Sequence, residues 1–168
     1  MGKNTRFLAH GALLAALYVA LTYLQNALVP NSASFAIQFR VSEALCVMAL
    51  FTPAAIPGLT IGCLLFNLSY AGALPLDFLI GTAATALATG GMYLCRRVTV
   101  KKYPLLSMLL PAICNGLLIG WELQMYIGGG FFLNALYVAI GEAVVLLIPG
   151  SALYLTMKKR GLDAILFS

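Results

Sequence analysis

The chain has 168 residues, 62% of them hydrophobic and 9% charged, with a formal net charge of +5. A water-soluble domain devotes about a quarter of its residues to charge, so polar side chains cannot cover this one and lipid must solvate most of its outer surface. Apart from Arg40, the basic residues sit in three short clusters between apolar runs, which leaves no basic face for nucleic acid.

A helix crossing the hydrocarbon core needs roughly 17–25 apolar residues. The chain reads as an all-α integral membrane protein, one domain over residues 1–168, with six such runs and both termini cytoplasmic. The first runs from Phe7 to about Ala27 behind Lys3 and Arg6. It is longer than the apolar stretch of about 7–15 residues in a cleaved signal and reads as a retained helix. Along it Ala12, Ala16 and Ala20 recur at four-residue spacing beside Gly11 and Ala15, a flat stripe that allows close helix contact but is common in membranes. His10, near the start, has no acid or nucleophile in register and reads as interfacial. The longest outward connection, Leu28 to Ile37, contains Pro30-Asn31-Ser32 and suits a lid.

The second run, Gln38 to Phe51, is short and carries Arg40 and Glu43. Pro53 and Pro57 then mark a tight turn. The third run spans Gly58 to Tyr70, the fourth Leu76 to Cys95, and the fifth Leu105 to Ile127. Gly128-Gly129-Gly130 turns into the sixth, Phe131 to Met157. Six crossings from an inside N-terminus put every basic cluster in the cytoplasm: Lys3 and Arg6; Arg96, Arg97, Lys101 and Lys102; Lys158, Lys159 and Arg160. Arg40 is the exception. Cys46, Cys63, Cys95 and Cys114 lie in or at the end of apolar runs with no Cys-x-x-Cys pair, and read as reduced, buried hydrophobes rather than a zinc site or disulfide framework.

Ionisable residues inside a membrane cost at least a few kcal/mol each and by default mark function. Glu43 falls roughly 8 Å in from the outer end of its run and Glu122 roughly 9 Å, while Asp77 opens the fourth run and Glu142 lies near the midplane. Arg40 and Glu43, three residues apart, either neutralise each other or touch a ligand; both readings stand. For Asp77, a helix N-terminal cap is the better reading. Glu122 has no cation nearby in sequence, which favours ligand contact, as it does more weakly for Glu142. Gln38, Asn67, Trp121, Asn134 and Tyr137 fall at similar depth. Each alone reads as a helix bridge or an interfacial anchor, but their coincidence with the acids favours a binding site open to the outside. The chain has no Gly-x-x-x-x-Gly-Lys-[Ser/Thr], no His-Glu-x-x-His and no Gly-x-Ser-x-Gly, so neither ATP hydrolysis nor familiar hydrolase chemistry is expected of it. No cofactor or metal is expected.

Several blocks, in order, resemble the QueT family of queuosine-precursor transporters: Gln38-Phe-Arg-Val-Ser-Glu-Ala-Leu45, Pro53-Ala-Ala-Ile-Pro-Gly58, Gly62-Cys-Leu-Leu-Phe-Asn67, Leu76-Asp77 with Gly81-Thr82, Asn115-Gly116 with Glu122-Leu123, and Asn134-Ala-Leu-Tyr-Val-Ala-Ile-Gly-Glu142. The resemblance covers nearly the whole chain. It implies an S component of an energy-coupling factor (ECF) transporter, multi-pass in a prokaryotic cell membrane. Such a subunit binds substrate from outside and works with a transmembrane coupling protein and two cytoplasmic ATPases. It is thought to release substrate by toppling in the membrane. Ala12, Ala16 and Ala20 match the family's Ala-x-x-x-Ala docking motif.

The implied ligand is a 7-deazaguanine, whose ring N–H and exocyclic amine suit a carboxylate and whose carbonyl suits an Arg or amide donor. An aminomethyl arm would be cationic and want a second carboxylate. Glu122 and Glu43 are then the two carboxylates, and Arg40 the carbonyl donor or the orienter of Glu43. Asn67 and Asn134 are supporting donors, and Trp121 or Tyr137 the stacking ring. Three other readings remain: an S component for another vitamin or nucleobase, a self-sufficient carrier using Glu142 as a proton relay, and a membrane enzyme. The last is disfavoured by the lack of a metal cluster or nucleophile arrangement.

Overall fold

The computed structural model describes residues 2–30, 39–70, 72–101 and 103–167. Among these the chain is helical throughout: α1 (Lys3–Leu28), a 3-10 helix (Val41–Leu50), α2 (Ala55–Ser69), α3 (Asp77–Cys95), α4 (Leu105–Tyr126), α5 (Phe131–Val145), a π-helical turn (Leu146–Gly150), α6 (Ser151–Lys159) and α7 (Leu162–Phe167). Four helices are long and apolar enough to cross a membrane: Lys3–Leu28, Asp77–Cys95, Leu105–Tyr126 and the continuous Phe131–Lys159. The other two expected runs form shorter elements. Ten residues at about 2.0 Å reach roughly 20 Å, and fifteen at 1.5 Å reach roughly 22 Å, short of a 30 Å hydrocarbon core. The third run starts at Ala55 rather than Gly58, because Pro57 falls in the first turn of α2, where a missing N–H costs nothing. Pro149 removes a donor inside the last run, and there the chain widens into a π turn without breaking.

Large apolar side chains such as Leu79, Leu87, Leu94, Leu117, Phe132 and Ile148 stand exposed on the outside of the bundle, a surface that only lipid solvates well. Helices approach where side chains are missing. A Cβ on Gly58 of α2 would stand 2.5 Å from the carbonyl oxygen of Gly11 on α1. One on Gly120 of α4 would stand 2.6 Å from the Cα of Ala135 on α5. The result is two close pairs, α1–α2 and α4–α5, whose backbones do not approach one another directly among the described residues. Between them lie α3 and the 3-10 helix. The latter is apolar on every side and buries Ala44, Cys46, Val47, Met48 and Ala49, the signature of an element with no solvent face.

The bundle has two unlike poles. At one, His10 of α1 meets Phe167 of α7 edge-on at 5.1 Å, so the two ends of the chain come together. Lys158 lies 5.4 Å over the Phe51 ring, and Tyr154 stacks on Phe51 and meets Tyr103. Half-buried Asp163 pairs with Lys158 at 2.6 Å, which holds its carboxyl below the usual range. Lys3 and Arg6 line a pocket at this pole with His10, Thr52 and Phe167.

The glycine contacts admit a direct check. Replacing Gly58 by Ala forces a methyl into backbone and should destabilise the protein by about 1–3 kcal/mol, the usual cost of overpacking. Gly90→Ala, where a Cβ meets nothing within 4 Å, should leave stability unchanged or slightly raised. Thermal unfolding in detergent reads both.

Candidate functional site

The chain has five acids, and all but Asp163 are buried with Arg40 in the interior. Glu43 is 1% exposed, Asp77 3%, Glu122 0%, Glu142 2% and Arg40 5%. They come from four elements: Arg40 and Glu43 from the start of the 3-10 helix, Asp77 from the first turn of α3, Glu122 from α4 and Glu142 from α5.

Arg40 precedes the 3-10 helix with an extended backbone (φ −94°, ψ 99°), which sends its side chain towards α2 and α3. It donates to Asn67 Oδ1 at 3.3 Å, lies 3.9 Å from Asp77 Oδ2 and sits over the Phe66 ring at 5.7 Å. Asn67 donates in turn to the Asp77 carbonyl at 2.9 Å. The ion pair of Arg40 is therefore with Asp77, not the expected neighbour Glu43. Asp77 stands in the first turn of α3, where the helix dipole favours its charge as expected, but makes no capping hydrogen bond. It is the first residue of α3, and its Oδ2 accepts from the Leu74 N–H at 3.3 Å, outside the helix.

Glu43 is held from below and beside. Tyr18 of α1 donates its hydroxyl to Oε1, and the Cys46 thiol donates to Oε2 at 3.0 Å. Three residues per turn put Glu43 and Cys46 on one face of a 3-10 helix, so this contact follows from the local geometry. Glu142 lies close enough to Glu43 for their charges to interact, with Asn115 of α4 within hydrogen-bonding range. Its Oε2 has no donor.

Among the described residues, Glu122 is the one with both carboxyl oxygens buried and unpartnered, and Oδ1 of Asp77 beside it has no donor either. Two facing carboxyls can hydrogen-bond only if one carries a proton; otherwise each is an acceptor waiting for a donor.

The remaining expected residues fall differently. Asn67 belongs to the cluster. Asn134 donates to the Gly128 carbonyl at 2.8 Å and so ties down the turn before α5. Trp121 is 50% exposed, because side chains one residue apart on a helix point about 100° apart and its neighbour Glu122 takes the inward direction. Tyr137 is half-buried. The ring over the cluster is Phe66 instead. Gln38 and residues 31–37 of the expected lid lie outside the described residues. Ala12, Ala16 and Ala20 stand exposed along an apolar groove of about 720 Å³ between α1 and α2, remote from the acids.

A family model described as QueT transporter matches residues 8–159. The chain belongs to the QueT transporter family. No curated protein and no solved structure matches it. Membership makes it a component of a membrane transporter, and the residues of its buried cluster take on interest as carriers of selectivity. Sequence reading missed Tyr18, Thr22, Gln25, Ser42, Cys46 and Asn115 in this QueT-family chain. A signal for three of them existed: Tyr18, Thr22 and Gln25 are polar residues at i, i+4 and i+7 within an apolar helix, hence on one face.

Removing one partner of a buried pair leaves an uncompensated charge, typically at 3–5 kcal/mol. Arg40→Met should cost about that much, while Arg40→Met combined with Asp77→Asn should recover part of it. Unfolding midpoints of the two single variants and the double variant, in one detergent, give the coupling.

Proposed function

We propose that this chain is the substrate-binding S component of an ECF-type importer for a 7-deazaguanine precursor of queuosine. The observation that carries the reading is Glu122, a buried carboxyl with two unsatisfied acceptor oxygens beside Asp77, which in turn lies 3.9 Å from Arg40. A guanine-like ring offers the complement: ring N–H and exocyclic amine for the carboxyl, and a carbonyl for Arg40 or Asn67. Charge supports the same assignment. Four buried acids face one arginine, so a ligand bringing a cationic arm to Glu43 and Glu142 is favoured over one that brings none.

In this reading the acid-bearing pole faces outward and the basic pole faces the cytoplasm, following the positive-inside rule, in the prokaryotic cell membrane. The two short elements complete the crossings between the four long helices. The groove along Ala12, Ala16 and Ala20 receives a helix of the coupling protein, whose apolar surface meets small side chains without a steric barrier. Partner ATPases supply the hydrolysis, for which this chain has no phosphate loop.

Titration of the purified chain with 7-aminomethyl- and 7-cyano-7-deazaguanine, against a panel of vitamins, tests the substrate. Glu122→Gln should weaken deazaguanine binding by about tenfold or more, the scale of one charged hydrogen bond; unchanged affinity removes Glu122 from the site. Ala16→Trp should prevent co-purification with the coupling protein and leave ligand affinity of the isolated chain intact.

A further inference from the structure

The four buried acids differ in how many of their oxygens already accept a hydrogen bond. Glu43 is taken on both sides: the Tyr18 hydroxyl donates to Oε1 and the Cys46 thiol to Oε2. Asp77 faces Arg40 through Oδ2, which leaves Oδ1 bare. Glu122 is bare on both oxygens, and Glu142 on Oε2 alone. The acceptors open to a ligand are therefore a two-oxygen site on α4, with Asp77 Oδ1 beside it, and a one-oxygen site on α5. Glu43 is not among them.

The helices set the distance between these two sites. Asn115, the amide within hydrogen-bonding range of Glu142, stands at i and Glu122 at i+7 on α4, and both are buried. They share one face and lie roughly 10 Å apart along the axis. The register of α5 against α4 agrees. A Cβ on Gly120 would meet Ala135, and one on Gly116, a turn nearer Asn115, would meet Ala139, a turn nearer Glu142. A fused two-ring ligand with a one-carbon arm, lengthened by a hydrogen bond of about 3 Å at each end, covers such an interval. A ring edge with two N–H donors matches a carboxyl with two bare oxygens, and a single ammonium matches a carboxyl with one.

We infer that Glu142 is the specificity-determining residue of the site: it takes the cationic arm of the ligand, while Glu122 takes the ring edge. The inference rests on the proposed function and narrows it, since Glu43 becomes a fixed wall held by α1 and by its own helix. A buried carboxylate oxygen without a donor is costly, and an ammonium that reaches it relieves that cost together with its own. A nitrile in the same place is an acceptor only, and sets a second lone pair against the bare oxygen. Discrimination thus has an attractive and a repulsive part at one atom. At Glu43 both parts are blunted, because Tyr18 and Cys46 already supply each oxygen with a donor.

The test titrates 7-aminomethyl- and 7-cyano-7-deazaguanine into the purified wild type, Glu142→Gln and Glu43→Gln, and reads the ratio of the two affinities. The wild type should favour the amine by at least about tenfold. Glu142→Gln should bring the ratio to about twofold or less, mainly by weakening the amine. Glu43→Gln should weaken both ligands together and keep most of the wild-type ratio. A Glu142→Gln protein that keeps the ratio overturns the inference, as does a Glu43→Gln protein that loses it to the same extent. So does a wild type that binds both ligands equally. If Glu142→Gln fails to fold, Glu142→Asp keeps the charge but withdraws it from the arm by one methylene. A partial fall of the ratio then supports the assignment, and an unchanged ratio overturns it. A wild type that binds neither deazaguanine refutes the functional reading itself, and this assignment with it.

Discussion

Burying carboxyl groups in a bundle surrounded by lipid is the constraint from which the architecture follows. Each such group must find a donor, a cation or a proton, because the penalty for an unpaired charge exceeds any single packing gain. The protein meets the demand unevenly. Asp77 receives Arg40, and Glu43 receives Tyr18 and Cys46. Glu122 receives nothing, and Glu142 keeps one bare oxygen. The unevenness is informative: a purely structural network would be expected to close on itself, since half-satisfied polar groups are worse than apolar ones.

Much of the fold was legible in residue pattern. Hydropathy located the four long helices within a few residues, because lipid imposes one length and one polarity on any segment that crosses it. The two shorter elements were placed too, but not their winding: hydropathy carries no pitch, and only tertiary surroundings set Val41–Leu50 as a 3-10 helix. The small-residue stripe on α1 announced a surface but not what lay behind it.

The candidate site was legible in membership more than in geometry. That Arg40, Glu43, Asp77 and Glu122 would fall at similar depth, with Glu142 nearer the midplane, was read from their distance to the ends of their runs; all five prove buried. Their partners were not legible. Sequence separation left open whether Arg40 and Glu43 neutralise each other or touch a ligand; the extended backbone at Arg40 turns the guanidinium towards Asp77, a feature that no spacing rule encodes. Trp121 illustrates an error of direction. Its depth along the chain suggested a ring near the acids, but adjacent helical residues diverge, and Glu122 takes the inward direction.

The placement of the cluster also bears on how such a protein can work. Glycine contacts hold α1 close to α2 and α4 close to α5, and α3 packs on both α2 and α4. The unsatisfied oxygens of Asp77, Glu122 and Glu142 lie on α3, α4 and α5, while Arg40 and Glu43 are held by Asn67, Asp77, Tyr18 and Cys46. Held groups and bare acceptors thus share one buried cluster, and close packing around it leaves the helices little room to relieve the bare ones by deforming. Such oxygens stay costly until a donor or a proton reaches them.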